Sequence, residues 1–130
     1  MYTLDTNTLI YFFKGMGNVS KNFFSKPPQE IIIPAIVLYE LEVGIAKSTQ
    51  PEKRALQLRA LTSRVAIIPF GTKEAKLSAK IRSELESRGL PIGPYDLLIA
   101  GTALSTNSIL VTHNTKEFQR VNNLEIEDWF

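Results

Sequence analysis

Ile31-Ile32-Ile33 is an unbroken run of β-branched residues with no polar alternation, and it constrains this chain more than any other segment. A strand with one face in water alternates apolar and polar residues, whereas a strand covered on both faces does not. The run therefore predicts an interior strand of a parallel sheet, and parallel strands need crossover connections, usually helices, to join them. The flanking sequence supplies both kinds of element. Tyr2 to Leu4 is short and β-prone, and Asp5-Thr6-Asn7 leads into the apolar run Leu9 to Phe13, which reads as strand, loop and helix closed by Gly15 and Gly17. Val19 to Ser25 predicts a short helix before the Pro27-Pro28 break, Ile36 to Lys47 a longer one, and Pro51 opens another that runs to about Arg64.

Val65 to Ile68 reads as the third strand. Thr72 to Arg88 predicts an amphipathic helix capped by Thr72 and stopped by Gly89, and Asp96 to Ser105 a helix so rich in small and apolar residues that it must be buried. Ile109-Leu110-Val111 is a fourth strand, Thr115 to Val121 a helical turn or two, and Leu124 to Trp129 a possible edge strand. Strands alternating with helices give an α/β sandwich around a mostly parallel sheet of four to five strands, read as a single domain over residues 1–130. With 44% hydrophobic residues, a chain of 130 can bury a core of its own.

The absent residues narrow the chemistry. There is no cysteine, which removes disulfides and thiolate metal sites and suits a reducing, cytoplasmic compartment. His113 is the single histidine, so a zinc site and a nuclease working through paired histidines are both excluded. The opening residues carry neither a basic leader nor an apolar stretch, and no segment approaches the roughly 20 apolar residues of a membrane span, so a soluble protein without a secretory signal is expected. A net charge of +2 permits a polyanionic partner without demanding one.

In parallel sheets, chemistry gathers at the carboxyl ends of the strands. Asp5 follows the first strand directly, where it could cap a helix or serve a site. Glu40 has Ile36, Val37, Val43 and Gly44 three and four residues away, so its carboxylate either reaches a partner elsewhere or is raised in pKa by burial. Glu42 is surrounded just as apolarly, and periodicity does not choose between them. Asp96 is delivered by Gly93-Pro94-Tyr95 to the mouth of the buried helix, again as cap or as ligand. Asn114 and Glu117, after the fourth strand, have the spacing of a capping box, which competes with a role for Glu117 as a fourth acid. Because each acid follows a strand, or lies in the element that follows one, the side chains can converge. Several carboxylates in one place require a cation, and oxygen ligands alone point to Mg²⁺ or Mn²⁺.

Asp5-Thr6-Asn7 after an N-terminal strand, Glu40-Leu41 with Gly44, Gly93-Pro94-Tyr95-Asp96, and Thr112-His113-Asn114 with Glu117-Phe118 together resemble a PIN-domain ribonuclease. More narrowly they resemble the VapC-type toxins of bacterial toxin–antitoxin pairs, along the whole chain to Asp128-Trp129. The resemblance implies a PIN-like three-layer sandwich with helices on both faces of the sheet. It implies RNA cleavage dependent on Mg²⁺ or Mn²⁺, leaving 5′-phosphate and 3′-hydroxyl ends, with tRNA, often the initiator tRNA, as substrate. It implies a homodimer, and inhibition by a VapB-type antitoxin in a hetero-oligomer. Carried over residue by residue, Asp5, Glu40 and Asp96 match the family's first three acids, which selects Glu40 over Glu42, and Glu117 stands as the fourth catalytic acid. Asp5 and Asp96 become the metal ligands. Many members carry Asp where this chain has Asn114 and Glu117, which leaves one ion or two open. Thr6, Asn7, Thr112 and Asn114 become groups that orient ligands or touch phosphate, roles that compete with ordinary capping.

Lys73, Lys76 and Lys80 on the long helix, and Arg54, Arg59 and Arg64 on an earlier one, are either contacts to an RNA backbone or solvated faces. Tyr11-Phe12-Phe13 and Phe23-Phe24 are either core or a groove for an antitoxin. Two rivals remain. Aspartyl-phosphate chemistry would call for a second Asp where this chain has Asn7, and a binding module without turnover would keep the fold alone.

Overall fold

The computed structural model describes residues 1–130. Its five strands are β1 (Tyr2–Leu4), β2 (Ile31–Pro34), β3 (Ala66–Ile68), β4 (Ile109–Val111) and β5 (Ile126–Glu127). They form one sheet in the order β3-β2-β1-β4-β5, and every pairing is parallel. The Ile31-Ile32-Ile33 run is interior, as its composition demands: all of β2 is buried, between β1 and β3. The helices are α1 (Thr6–Lys14), α2 (Val19–Phe24), α3 (Ala35–Ala46), α4 (Pro51–Thr62), α5 (Thr72–Ser87), α6 (Pro94–Ser105) and α7 (Thr115–Phe118). A 3₁₀ turn at Pro28–Glu30, not anticipated from the sequence, leads into β2. No helix is long and apolar enough to cross a membrane.

The strand order fixes where the helices lie. The chain steps outward from β1 to β2 to β3 and then returns past β1 to β4. Right-handed crossovers in opposite directions place their helices on opposite faces. Accordingly α3 packs on β2 and β3, while α6 packs on β1 and β4 with α5 outside it. The reversal between β1 and β4 opens a crevice at their carboxyl ends, the place where open α/β sheets bind ligands.

The α5–α6 seam is the tightest helix pair. Seven of the twelve residues of α6 are buried, among them Gly101, and a β-carbon there would fall 1.9 Å from the Ser78 hydroxyl oxygen and 3.1 Å from the Ser78 α-carbon. Only glycine admits that approach.

Two helix starts differ from the sequence expectation. Thr72 does not cap α5; the cap position belongs to Gly71, whose N–H donates to Glu74 Oε1 at 2.9 Å, because a glutamate three residues on can reach back to the free amide. Helix α6 begins at Pro94 rather than Asp96, since proline's fixed φ suits the first helical position.

Candidate active site

The register Leu4↔Val111 ends β1 and β4 side by side, so Asp5 and Thr112 emerge together at the crevice. The Asp5 N–H still donates to the Val111 carbonyl at 3.1 Å, which fixes its backbone as an extension of the sheet. Its carboxylate accepts the Thr8 N–H at 2.9 Å, so Asp5 is the N-cap of α1. Capping does not exclude a site role here, because the residue is only 4% exposed and an ordinary cap sits in water. Burial pushes its pKa up; the hydroxyls of Thr112 and Thr8 and the Thr8 amide pull it back, and the charge of Asp128 adds to the rise.

Asp96 stands at the third position of α6, inside the first turn, and the cap position is Gly93. The simple capping role is thereby removed. Its carboxyl is half-buried and pushed up to about 6, first by burial and then by the charges of Glu117, Asp5 and Glu40. Four acids from four separate parts of the chain therefore share one electrostatic neighbourhood.

Glu40 and Glu42, inseparable by periodicity, are separated by packing. Glu42 is exposed, whereas Glu40 is half-buried and accepts a hydrogen bond from the Thr6 hydroxyl at 2.7 Å. Glu117 is half-buried and is bound through its carboxylate by the Asn114 side-chain amide. The capping box that their spacing allows is absent: Asn114 sits at the cap position of α7, but its side chain makes no cap bond and its N–H donates to Thr112 Oγ1, while Glu117 is held by the Asn114 side-chain amide. Thr112, fully buried, accepts the Asn114 N–H at 3.0 Å and so holds that loop. Asn7 is exposed and its side chain has no hydrogen-bond partner.

One acid was not anticipated. Asp128 follows β5, pairs with His113 at 3.0 Å, and is near enough for its charge to raise Asp5. The signal was available in principle, since it too follows a parallel strand, but a strand of two residues leaves little pattern to read. Of the basic residues, Lys73, Lys76, Lys80, Arg59 and Arg64 are exposed and take no part in an ion pair; the pairs are Arg82–Glu86, Arg88–Glu84 and His113–Asp128. Arg54 and Lys14 instead line a cleft of about 400 Å³ that begins at Glu40 and runs between α1, α3 and α4.

No three carboxylate or imidazole groups close on a common point at metal-ligand spacing, so a ready-made cage is absent. The donor set nevertheless fits a hard cation. It is all oxygen, it places negative charges together with no lysine or arginine paired to them, and its repulsion adds to burial in raising the Asp96 carboxyl, a rise that a bound cation would offset.

A parallel sheet that presents a cluster of acids at its switch point defines a class of protein, the carboxylate-dependent enzymes that handle phosphate esters on an open α/β scaffold. Comparison with known proteins narrows this class. The sequence profile of the PIN domain matches residues 2–124. The chain is 37% identical over 128 residues to the tRNA(fMet)-specific endonuclease VapC of Salmonella typhimurium, covering 98% of this chain and 97% of that one. It is 39% identical over 137 residues to Ribonuclease VapC2 of Rickettsia felis, covering 99% and 98%. A crystal structure of VapBC2 from Rickettsia felis, bound to a DNA fragment from their promoter, superposes with a TM-score of 0.92 at 40% identity, covering 99% of this chain and 98% of that one. The chain belongs to the PIN-domain family, in its VapC group.

Proposed function

We propose that this protein is a metal-dependent endoribonuclease, the toxin of a toxin–antitoxin pair. The observation that carries the reading is the convergence of Asp5, Glu40, Asp96 and Glu117, from separate parts of the chain, near the carboxyl ends of β1 and β4, close enough for the other three charges to add to the rise that burial gives Asp96. Family membership supports RNA as the substrate, because the relatives in Salmonella typhimurium and Rickettsia felis are named as a tRNA(fMet)-specific endonuclease and a ribonuclease.

Asp5 and Asp96 are the residues proposed to hold the cation, with Mg²⁺ or Mn²⁺ chosen by the oxygen donor set. When bound, that cation supplies Lewis acidity toward the phosphodiester and lowers the pKa of the attacking water. The protein's own residues do the rest. Asp5 is immobilised by the sheet and by the Thr8 amide, which fixes one side of the site. In this reading Glu40, steadied by Thr6, takes the proton of the attacking water, and Glu117, steadied by Asn114, adds its charge beside Asp96. Hydrolysis in this sense leaves 5′-phosphate and 3′-hydroxyl ends.

The partner proposed is a VapB-type antitoxin, since the Rickettsia felis structure is of a VapBC2 complex. The cleft beside Glu40 and a second groove of about 250 Å³ share Phe13, and the second is lined by Phe12, Phe23, Phe24, Leu61 and Arg64. An antitoxin segment lying along this aromatic trough reaches the acids and covers them. The homodimer and the cytoplasmic setting, implied by the family, complete the proposal. Light scattering of the free toxin and of the complex tests the assembly.

A binding module without turnover has one observation in its favour, the failure of three acids to close on one point. Cleavage decides between the two. Purified protein freed of antitoxin should cut structured RNA with Mg²⁺ or Mn²⁺, and sequencing the cut ends of total RNA after brief expression should show a discrete tRNA cut. RNA that stays intact with either ion contradicts the nuclease reading; cuts outside tRNA retire the tRNA substrate alone.

A further inference from the structure

Two large aromatic side chains stand in water beside the acids. Tyr39 is 51% exposed and Tyr95 is 43% exposed, and their rings meet edge to face with centroids 5.8 Å apart. They come from α3 and α6, helices packed on opposite faces of the sheet that also contact each other. Each directly precedes a site acid, Tyr39 before Glu40 and Tyr95 before Asp96. The Tyr95 hydroxyl lies close enough to Tyr39 and to Glu40 for both to raise its pKa, Tyr39 the more. Neither ring joins the apolar core. The other exposed large apolar residues, Met1, Met16, Phe24, Leu56, Leu90 and Phe130, lie on other elements or at the chain ends, so α3 and α6 offer only this hydroxylated pair in place of a broad apolar patch.

We infer that Tyr39 and Tyr95 form a stacking platform for an unpaired nucleobase of the RNA, next to the scissile phosphate. The inference rests on the nuclease reading above and adds what holds the substrate. The rings flank the acids, so a substrate whose scissile phosphate reaches the acids brings a neighbouring base to them, whereas the trough assigned to the antitoxin is built from Phe12, Phe13, Phe23 and Phe24 on α1 and α2. The carboxylates repel a polyanion until a cation is bound, and binding therefore needs an attraction that does not depend on phosphate charge. A base against an aromatic face supplies it, at about 1–3 kcal/mol per base. The edge-to-face arrangement leaves one ring face open to such a base. It also favours a splayed, single-stranded nucleotide over a paired one, because only an unstacked base exposes its face.

The test uses the full chain, free of antitoxin, with Asp5→Asn to prevent cutting and short single-stranded oligoribonucleotides carrying 2-aminopurine at successive positions. Fluorescence should be quenched on binding at one position. Tyr39→Ala and Tyr95→Ala should each weaken binding by roughly 5- to 150-fold and remove the quench, while Tyr39→Phe and Tyr95→Phe keep both. In the cleaving protein, the alanine variants should raise KM for RNA. Alanine variants that bind and quench like their parent overturn the platform, as does an oligonucleotide that shows no quench at any position. Alanine variants that lose the dimer by light scattering overturn it too, assigning the rings to contact between copies. If the unmodified protein cuts no RNA yet the tyrosine-dependent quench is present, the platform stands and the nuclease reading falls. If it cuts RNA with KM unchanged in the alanine variants, the reverse holds.

Discussion

The Thr6 hydroxyl donates to Glu40 Oε1 at 2.7 Å, joining the residue after the first acid to the second acid across 34 positions of sequence. It holds a carboxylate that makes no ion pair. Thr6→Val should lower kcat for RNA cleavage about 10- to 100-fold, the usual cost of losing a group that orients a site residue, whereas Thr6→Ser should retain most activity. Equal kcat in the valine variant, measured by steady-state cleavage, would remove Glu40's orientation from the mechanism.

Asp96 gives a pH dependence of stability. Its carboxyl is held at about 6, whereas an Asp in the unfolded chain titrates near 3.9, so the native state binds the proton more tightly. Stability from this group is full below about pH 4 and is lost as pH rises through about 6. The side chain is only half-buried, so solvent screening reduces the effect to ~1 kcal/mol, or about 3 °C in Tm. In EDTA, Asp96→Asn should therefore be the more stable protein near pH 8 and should match the parent near pH 4. Differential scanning calorimetry at both pH values checks this; a parent at least as stable as Asp96→Asn near pH 8 is the contrary result.

Added Mg²⁺ or Mn²⁺ should raise the Tm of the parent in a concentration-dependent way, because a ligand that binds only the native state stabilises it. Asp5→Asn keeps a good helix cap, so its fold should persist while the metal-induced shift disappears. A shift of the same size in Asp5→Asn would place the cation elsewhere.

Gly101 and Ser78 share the α5–α6 seam, and the Ser78 hydroxyl is buried with no hydrogen-bond partner. Ser78→Ala should be neutral or stabilising by up to ~1 kcal/mol, since it removes an unsatisfied polar group. Gly101→Ala should destabilise by roughly 1–3 kcal/mol, and Ser78→Ala should rescue it only in part, because the Ser78 α-carbon also lies in the way. Urea unfolding of the four proteins of this double-mutant cycle measures the coupling.

Much of this fold is written in local pattern. The Ile31-Ile32-Ile33 run, the small apolar α6 and the glycines after α1 and α5 are readable because one residue type at one spacing decides each. Asp5 and Asp96 were readable as acids at strand or helix ends, but their difference was not. Aspartate is so good a cap that the sequence allows that role at both places, whereas proline at the first position of α6 moves the helix start back and leaves Asp96 inside the turn. Glu40 against Glu42 is a question of packing on α3, answered by a partner far away in sequence and by exposure. Asp128 was missed because its strand is too short to announce itself.

The most direct test of the carboxylate cluster is RNA cleavage by the purified, antitoxin-free protein beside its Asp5→Asn and Asp96→Asn variants, with Mg²⁺ or Mn²⁺ and again after EDTA, each variant shown folded by circular dichroism. Cutting is expected of the parent alone, abolished by EDTA and restored by added metal. Folded Asp5→Asn and Asp96→Asn proteins that cut at the parent's rate would contradict it.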